Sequence, residues 1–150
     1  MVMRFTLWLR ALVSLLSVQF LLGIWVNLYG SVPDSNSLVA AFRYTGDPVL
    51  SAHMLLAVVL VVLAFVITVG AFDPAAPPRL RWLALAGLVT LFGAYEAGIQ
   101  FIMSGYSSNL DSFLMALAFI VAMVFYGVAQ TVVGPSGPSA DRGRHERADA

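Results

Sequence analysis

The sequence predicts an all-α, polytopic membrane protein that folds as an antiparallel, up-down-up-down four-transmembrane-helix bundle. Apolar residues make up 60% of the 150 residues, whereas charged residues make up only 11%. The apolar residues also fall into four long runs. A helix needs about 20 predominantly apolar residues to cross a bilayer, so the chain supplies four crossings and leaves little for a soluble core.

The four runs define the predicted domain. The spans cover about residues 11–29, 49–72, 82–103 and 110–133, within one transmembrane domain of residues 1–133. Turn-forming residues fill the segments between them, at 30–36, 73–78 and 104–109. Residues 134–150 are rich in glycine, proline and charge, a composition that buries too little apolar surface to fold. We expect them to form a disordered cytoplasmic tail.

The basic residues predict the orientation, because cytoplasmic segments of membrane proteins carry the excess of Lys and Arg. All eight are arginines, and only Arg43 lies at the predicted outer end. The other seven are Arg4, Arg10, Arg79, Arg81, Arg142, Arg144 and Arg147. We therefore expect both termini in the cytoplasm and the chain in the plasma or inner membrane.

Composition excludes several kinds of chemistry. The chain has no cysteine, which excludes disulfides, thiol catalysis and thiolate metal sites. Its net charge of zero offers no basic surface for nucleic acid. The loops contain no nucleotide-binding glycine loop, no Ser-His-Asp arrangement and no cluster of metal ligands. We assign no catalytic residue and no metal site, and the sequence favours a protein that is not an enzyme.

Polar side chains within the predicted spans are the candidate functional residues. An ionisable group near the bilayer centre costs about 2.5–3.5 kcal/mol on insertion scales, so each one needs a partner or a use. A rise of 1.5 Å per residue places His53 about 6 Å and Glu96 about 10 Å below the outer edge, where their side chains could meet. We expect one outward-facing polar pocket, formed by Asn27, His53, Glu96, Gln100 and Ser112.

The third span also carries small residues at four-residue spacing, a pattern that lets membrane helices approach closely. The ladder consists of Ala86, Thr90, Ala94 and Gly98. It predicts contact with a neighbouring helix, either in a second copy of the chain or in another membrane protein. At 100° per residue, Ala94 lies about 160° around the helix from Glu96, so the two faces address different neighbours.

The first helical hairpin resembles a known family. Residues 19–24 read QFLLGI before an outer loop, and residues 52–55 read AHML at the start of the next span. This arrangement is similar to the hairpins of haem A synthases, in which a Gln-x-x-Leu-Gly helix precedes a helix that carries a haem-ligating histidine. Eight spans form two four-helix halves in that family, and this chain has the size of one half. The resemblance implies haem as the cofactor and His53 as an axial ligand.

The resemblance leaves the second axial ligand open. Ser112 or Phe113 stands where the family has a second histidine, and no glutamate precedes His53 by one turn. Oxidation of a haem methyl group is therefore not expected. The candidates for the second ligand are Met103, Met115, a second copy's His53, or none. Gly23 and Trp25 would shape the pocket.

Three functions are compatible with these residues. The first is an accessory or scaffold membrane protein, in which His53 and Glu96 merely hold helices in register through hydrogen bonds. The second is a haem-binding, redox-active membrane protein with His53 as ligand. The third is a small transporter subunit in which His53 and Glu96 relay protons, since ionisable residues within a membrane often mark such paths.

Overall fold

The computed structural model describes residues 2–35, 37–44 and 46–133, with the side chains of residues 2–4 left aside. These residues form five helices and no strand. The helices are α1 (Val2–Tyr29), α2 (Leu38–Arg43), α3 (Pro48–Ala71), α4 (Pro78–Met103) and α5 (Asn109–Val133). The predicted disordered tail, with Arg142, Arg144, His145 and Arg147, lies outside the described residues.

Four of the five helices are long and apolar enough to cross a membrane, over Phe5–Tyr29, Pro48–Ala71, Pro78–Met103 and Asn109–Val133. Large apolar side chains on their outer faces are exposed, among them Leu55, Val62, Phe65 and Val66 of α3. Burial of such surface in lipid is favourable. The predicted four-helix membrane bundle is confirmed, and the chain is a multi-pass membrane protein in contact with the bilayer.

The helix bounds differ from the predicted spans in two places. The first helix begins at Val2, not near residue 11, since apolar residues on either side of Arg10 continue the same helix. The six-residue helix α2, which no sequence pattern predicted, interrupts the connection between α1 and α3. We use the name "α2 end" for the end of the bundle formed by Tyr29, α2, Pro48, Met103 and Asn109.

The four long helices surround the bundle axis in the order α1, α3, α4, α5. Each contacts its two neighbours in this order, and α4 and α5 have the most extensive contact. Within the described residues, the diagonal pairs α1 with α4 and α3 with α5 do not approach each other closely. The centre of the bundle is therefore filled by side chains from all four helices.

Local signals in the sequence set the helix ends at the α2 end. The Asp47 carboxylate caps α3 by accepting hydrogen bonds from the backbone N–H groups of Val49 at 2.8 Å and Leu50 at 3.3 Å. Its other oxygen accepts from the backbone N–H of Ser31 at 3.0 Å, which ties the segment after α1 to the start of α3. At α5, the Ser108 hydroxyl accepts from the backbone N–H of Asp111 at 3.3 Å.

Helix α4 ends in a Schellman motif. The Tyr106 N–H donates to the Phe101 carbonyl at 2.9 Å, and the Gly105 N–H donates to the Ile102 carbonyl at 3.0 Å. Gly105 adopts the left-handed conformation that the motif requires, with φ of 67°. The rings of Tyr106 and Phe101 meet edge to face, with centroids 5.7 Å apart. This motif turns Tyr106 back towards the bundle.

Two separate apolar clusters form the core. The larger one runs from the bundle centre to the end opposite α2, and includes Leu9, Leu16, Leu60, Leu91 and Phe119. The smaller one lies at the α2 end and consists of Ala41, Leu50, Met54 and Ile102. Apolar packing is therefore interrupted between the bundle centre and the α2 end.

One prediction concerns the close contact between α4 and α5. A Cβ atom at Gly87 would lie 2.7 Å from the buried ring of Tyr126, so Gly87→Ala must displace a side chain that has no free space. We expect a loss of about 1–3 kcal/mol in unfolding free energy, measured by denaturation in mixed micelles. Gly93→Ala is the matched control, because nothing lies within 4 Å of its Cβ position. Equal stability of the two variants would contradict the close contact.

Candidate functional site

A cavity of about 290 Å³ occupies the interruption between the two apolar clusters. Every helix and the α4–α5 turn contribute to its wall, and most lining side chains are apolar. The polar lining residues are Gln19, Asn27, His53 and two tyrosines, Tyr95 and Tyr106. A smaller cavity of about 100 Å³ adjoins it and is lined in part by Ser112. Among the described residues, no Asp, Glu, Lys or Arg side chain lines either one.

Two residues of α1, Gln19 and Gly23, contact His53 of α3. Gln19 is 1% exposed, and its Nε2 donates to the His53 backbone carbonyl at 3.0 Å. The same Nε2 lies 3.5 Å from the imidazole Nε2. One turn along α1, a Cβ atom at Gly23 would lie 3.1 Å from His53 Cε1, so glycine makes the room that the ring occupies. Gln19 and Gly23 together fix the position of the imidazole.

Unpartnered polar atoms concentrate around this cavity. Across the part of the chain that the structure describes, four buried side-chain nitrogen or oxygen atoms have no hydrogen-bond partner. Three of them belong to residues that line the cavity, namely Gln19 Oε1, His53 Nδ1 and the Tyr106 hydroxyl. The fourth is Arg81 Nε, near the opposite end of the bundle. A buried polar group without a partner is costly, so three at one cavity require an explanation.

Tyr106 marks the end of the cavity that lies nearest the α4–α5 turn. Its φ of 60° is unusual for a residue with a side chain, and the Schellman motif of α4 holds it there. Burial raises the pKa of its hydroxyl above the ordinary value, which keeps the group a neutral hydrogen-bond donor. Residues held in rarely adopted conformations are often found at functional sites.

Part of the predicted polar pocket exists. Asn27 and His53 line the main cavity. Ser112 lines the adjoining one, and its hydroxyl donates to Asn27 Oδ1 at 3.4 Å, which connects α5 to α1. These three side chains come from three helices, as a shared pocket requires.

Glu96 and Gln100 lie elsewhere. Both are exposed on the outer face of α4, where Gln100 Nε2 donates to Glu96 Oε1 at 2.8 Å. The buried residues Leu91, Ala94 and Ala97 turn the opposite side of α4 towards the bundle. The expected meeting of His53 and Glu96 is therefore not found, because Glu96 lies on the face of α4 that turns away from the bundle.

Some of the residues predicted to surround haem line the cavity, and others lie on the outside of the bundle. Gly23, His53 and Met115 line the cavity. Trp25 and Met103 do not line it, since their side chains are 53% and 54% exposed on the outside of the bundle. Nowhere in the described ranges do three His, Asp or Glu side chains gather into a group that could hold a metal ion.

The small-residue ladder faces the chain's own helices at the α2 end. Ala94 is buried and lines the cavity, and a Cβ atom at Gly98 would lie 3.3 Å from Met115 Sδ of α5. Further along, the Thr90 hydroxyl donates to the Ala86 carbonyl at 2.6 Å within α4. Ala94 and Gly98 therefore pack against other parts of the same chain.

Sequence reasoning missed the part played by Gln19 and Tyr106. Gln19 lies within the first predicted span, and no pattern in the sequence predicts its hydrogen bond to His53, 34 residues away. Tyr106 follows Gly105 directly after an apolar run, and this is the sequence signal of a Schellman motif. This signal predicts that Tyr106 folds back against the end of α4, where its ring contacts Phe101.

A double-mutant cycle tests the coupling between Gln19 and His53. We expect Gln19→Leu and His53→Leu each to destabilise the bundle, and the double variant to lose less than the sum of the two. Hydrogen bonds between membrane helices give coupling energies of about 0.6 kcal/mol on average and about 1.7 kcal/mol at most. Unfolding free energies in mixed micelles provide the measurement. The Gln19 bond to the His53 backbone carbonyl persists in His53→Leu, so the cycle measures only the contact between the two side chains. Strict additivity would show that this side-chain contact contributes no interaction energy.

No protein-family model, curated protein or solved structure matches the chain. The function must therefore be inferred from the cavity and the residues around it.

Proposed function

We propose that this membrane protein binds a lipid-soluble molecule in the cavity at the α2 end. The observation that carries the proposal is the coincidence of three buried, unpartnered polar atoms around one largely apolar cavity. Ligand pockets commonly combine an apolar wall with a few converging polar groups. A volume of about 290 Å³ is sufficient for a small head group or a short hydrocarbon chain.

The membrane environment strengthens this argument. A polar atom buried within a bilayer finds no water to replace a missing partner. A molecule with a hydrocarbon body and one polar group would fill the apolar space and offer a hydrogen-bond partner to the polar side chains of the lining.

The distribution of arginines supports an orientation in which the cavity opens away from the cytoplasm. Arg79 and Arg81 lie at the start of α4, at the end opposite α2, and Arg10 lies on the same half of α1. Of the arginines in the described residues, only Arg43 lies at the α2 end. By the positive-inside rule, we propose that both termini face the cytoplasm and that the protein resides in the plasma or inner membrane.

Haem is the second candidate ligand, and one observation favours it. His53 of α3 and Met115 of α5 line the same cavity, and their nitrogen and sulfur atoms are the pair of donors that holds haem iron in some cytochromes. Bound haem would supply one-electron redox chemistry. The chain would contribute His53 and Met115 as ligands. This proposal retains the resemblance to one half of a haem A synthase.

The other two functions receive less support. A proton relay through His53 and Glu96 is not proposed, since Glu96 lies outside the cavity on the outer face of α4. An accessory role through the small-residue ladder receives less support, because Ala94 lines the cavity and Gly98 packs against Met115 of α5 in the same chain.

Filling the cavity without removing its polar groups tests the main proposal. Ala57 lines the cavity from α3, so we expect Ala57→Phe to occupy the space and reduce the bound molecule at least about tenfold. The measurement is mass spectrometry of solvent extracts from protein purified in mild detergent. Ala52→Phe makes the same change on an exposed part of α3 and should retain the molecule. Equal extracts from the two variants would contradict the proposal.

The haem candidate has a spectroscopic test. If haem binds, protein purified from haem-sufficient cells shows a Soret band that shifts on reduction with dithionite, and His53→Ala abolishes the band because the axial nitrogen is lost. His145→Ala is the control, since His53 and His145 are the only histidines in the chain. A colourless wild-type protein would exclude haem and leave the main proposal untouched.

A further inference from the structure

We propose that the exposed face of α4 around Glu96 and Gln100 binds the same face of a second copy of this chain within the membrane. This surface is separate from the cavity, which Ala94 lines from the buried side of α4. The proposal depends on the depth of Glu96, on the hydrogen-bonding groups of the Glu96–Gln100 pair, and on the spacing of the exposed residues around that pair.

Glu96 is an ionisable residue that faces away from its own bundle at membrane depth. At a rise of about 1.5 Å per residue, Glu96 lies about 8 Å from the midpoint of α4. The hydrocarbon layer extends about 15 Å to either side of the bilayer centre, so a centred α4 places Glu96 within it. Ionisable residues in membrane helices almost always face other helices or a water-filled cavity. Glu96 is exposed instead, so its face calls for a neighbour outside the chain.

The Glu96–Gln100 pair has unused hydrogen-bonding capacity. Gln100 Nε2 donates to Glu96 Oε1 at 2.8 Å, and within the described residues this is the one hydrogen bond that either side chain makes. An amide group has a second N–H and an acceptor oxygen, and a carboxylate has a second acceptor oxygen. Lipid cannot supply partners for these groups. The pair therefore has both a donor and acceptors available to a neighbouring helix.

A second copy of the same pair would supply the missing partners. By the positive-inside rule, every copy inserts with the same orientation, so two α4 helices would run parallel with their polar pairs at one depth. Across a two-fold axis, the Gln100 amide of each copy can donate to the Gln100 oxygen or the Glu96 carboxyl group of the other. The pair is thus complementary to itself, and this property favours a second copy over a partner of different chemistry.

The exposed residues of α4 have the spacing of a helix–helix contact. We use the name "α4 seam" for Val89, Gly93, Glu96, Gln100 and Met103, which are all exposed and alternate by four and three residues. Two parallel helices that cross at about 20° pack along this repeat. Nothing in the chain lies within 4 Å of a Cβ atom built at Gly93. A small residue at that position lets the backbone of a second helix approach closely.

Disulfide cross-linking in native membranes tests the proposal, because the chain has no cysteine of its own. Val89→Cys lies on the α4 seam and would face its own copy in a symmetric dimer, close enough for a disulfide. Val62→Cys of α3 is the matched control, since Val89 lies 14 residues from Met103 and Val62 lies 14 residues from Pro48, and the two valines are 64% and 58% exposed. With copper phenanthroline as oxidant, we expect a linked dimer from Val89→Cys and only monomer from Val62→Cys.

Energy transfer between fluorescently labelled copies in phospholipid vesicles assigns the contact to the polar pair. The dissociation constant of the dimer comes from the dependence of transfer on the protein-to-lipid ratio. We expect Glu96→Leu and Gln100→Leu each to raise it about tenfold, because each removes hydrogen bonds between the helices. Leucine is favourable on a lipid-facing surface, so both variants should keep the fold, which circular dichroism verifies.

Two variants should leave the dissociation constant unchanged. Glu96→Gln retains groups that accept and donate hydrogen bonds. Ser17→Leu makes a polar-to-leucine change on the exposed face of α1, where the Ser17 hydroxyl donates to the Val13 carbonyl of its own helix. A loss of the dimer in Ser17→Leu equal to that in Gln100→Leu would overturn the assignment to α4.

Further outcomes would contradict the dimer itself. Equal cross-linking of Val89→Cys and Val62→Cys, or none from Val89→Cys, would overturn it, as would cross-linking of Val89→Cys to a different protein. Wild-type protein without energy transfer at any protein-to-lipid ratio would do the same. Unchanged dissociation constants in both leucine variants would show that Glu96 and Gln100 do not hold two copies together. The test of the cavity with Ala57→Phe measures a bound molecule, so its outcome is independent of these results.

Discussion

Lipid offers no hydrogen bonds, and this constraint governs the position of each buried polar side chain in the bundle. A polar group within the hydrocarbon must find its partner inside the chain. Backbone carbonyls of neighbouring helices provide such partners here, and one side chain serves each neighbouring pair of long helices. The contacts are Gln19 with the His53 carbonyl, Thr68 and Tyr126 with the Ala84 carbonyl, and Gln130 with the Leu9 carbonyl. These buried polar residues thus lie at the helix contacts, whereas Glu96 and Gln100 lie on the exposed outer face of α4 and bond to each other.

The same constraint distinguishes the two ends of the bundle. In the larger cluster, Thr68 donates to the Ala64 and Ala84 carbonyls at 2.8 and 3.2 Å, and Tyr126 lies 3.5 Å from the Ala84 carbonyl. Small residues there allow α4 and α5 to approach closely, as Gly87 does beneath the Tyr126 ring. Around the cavity, by contrast, Gln19 and His53 satisfy only part of each other's capacity. This difference between the two ends supports the proposal that the cavity binds a ligand.

Sequence patterns predicted the fold and the depth of the candidate residues in the membrane. They did not predict which face of each helix turns towards the cavity. Four apolar runs determine four helices, because each must satisfy its own backbone within the membrane. The depth of His53 is given by its distance along α3. Which face of α4 turns inwards is not given by depth, since Glu96 and Ala94 differ by about 160° of rotation. Only the packed structure shows that Ala94 faces the cavity while Glu96 and Gln100 face outwards.

The cavity is framed by helix ends that local hydrogen bonds hold in place. Asp47 joins the start of α3 to Ser31, the Schellman motif fixes Tyr106 after α4, and Ser108 caps α5. These contacts do not depend on the presence of a ligand, so binding would not have to order the frame. A preformed site loses little conformational entropy on binding. These helix-end contacts therefore keep the space at the α2 end open without a ligand, as the proposed function requires.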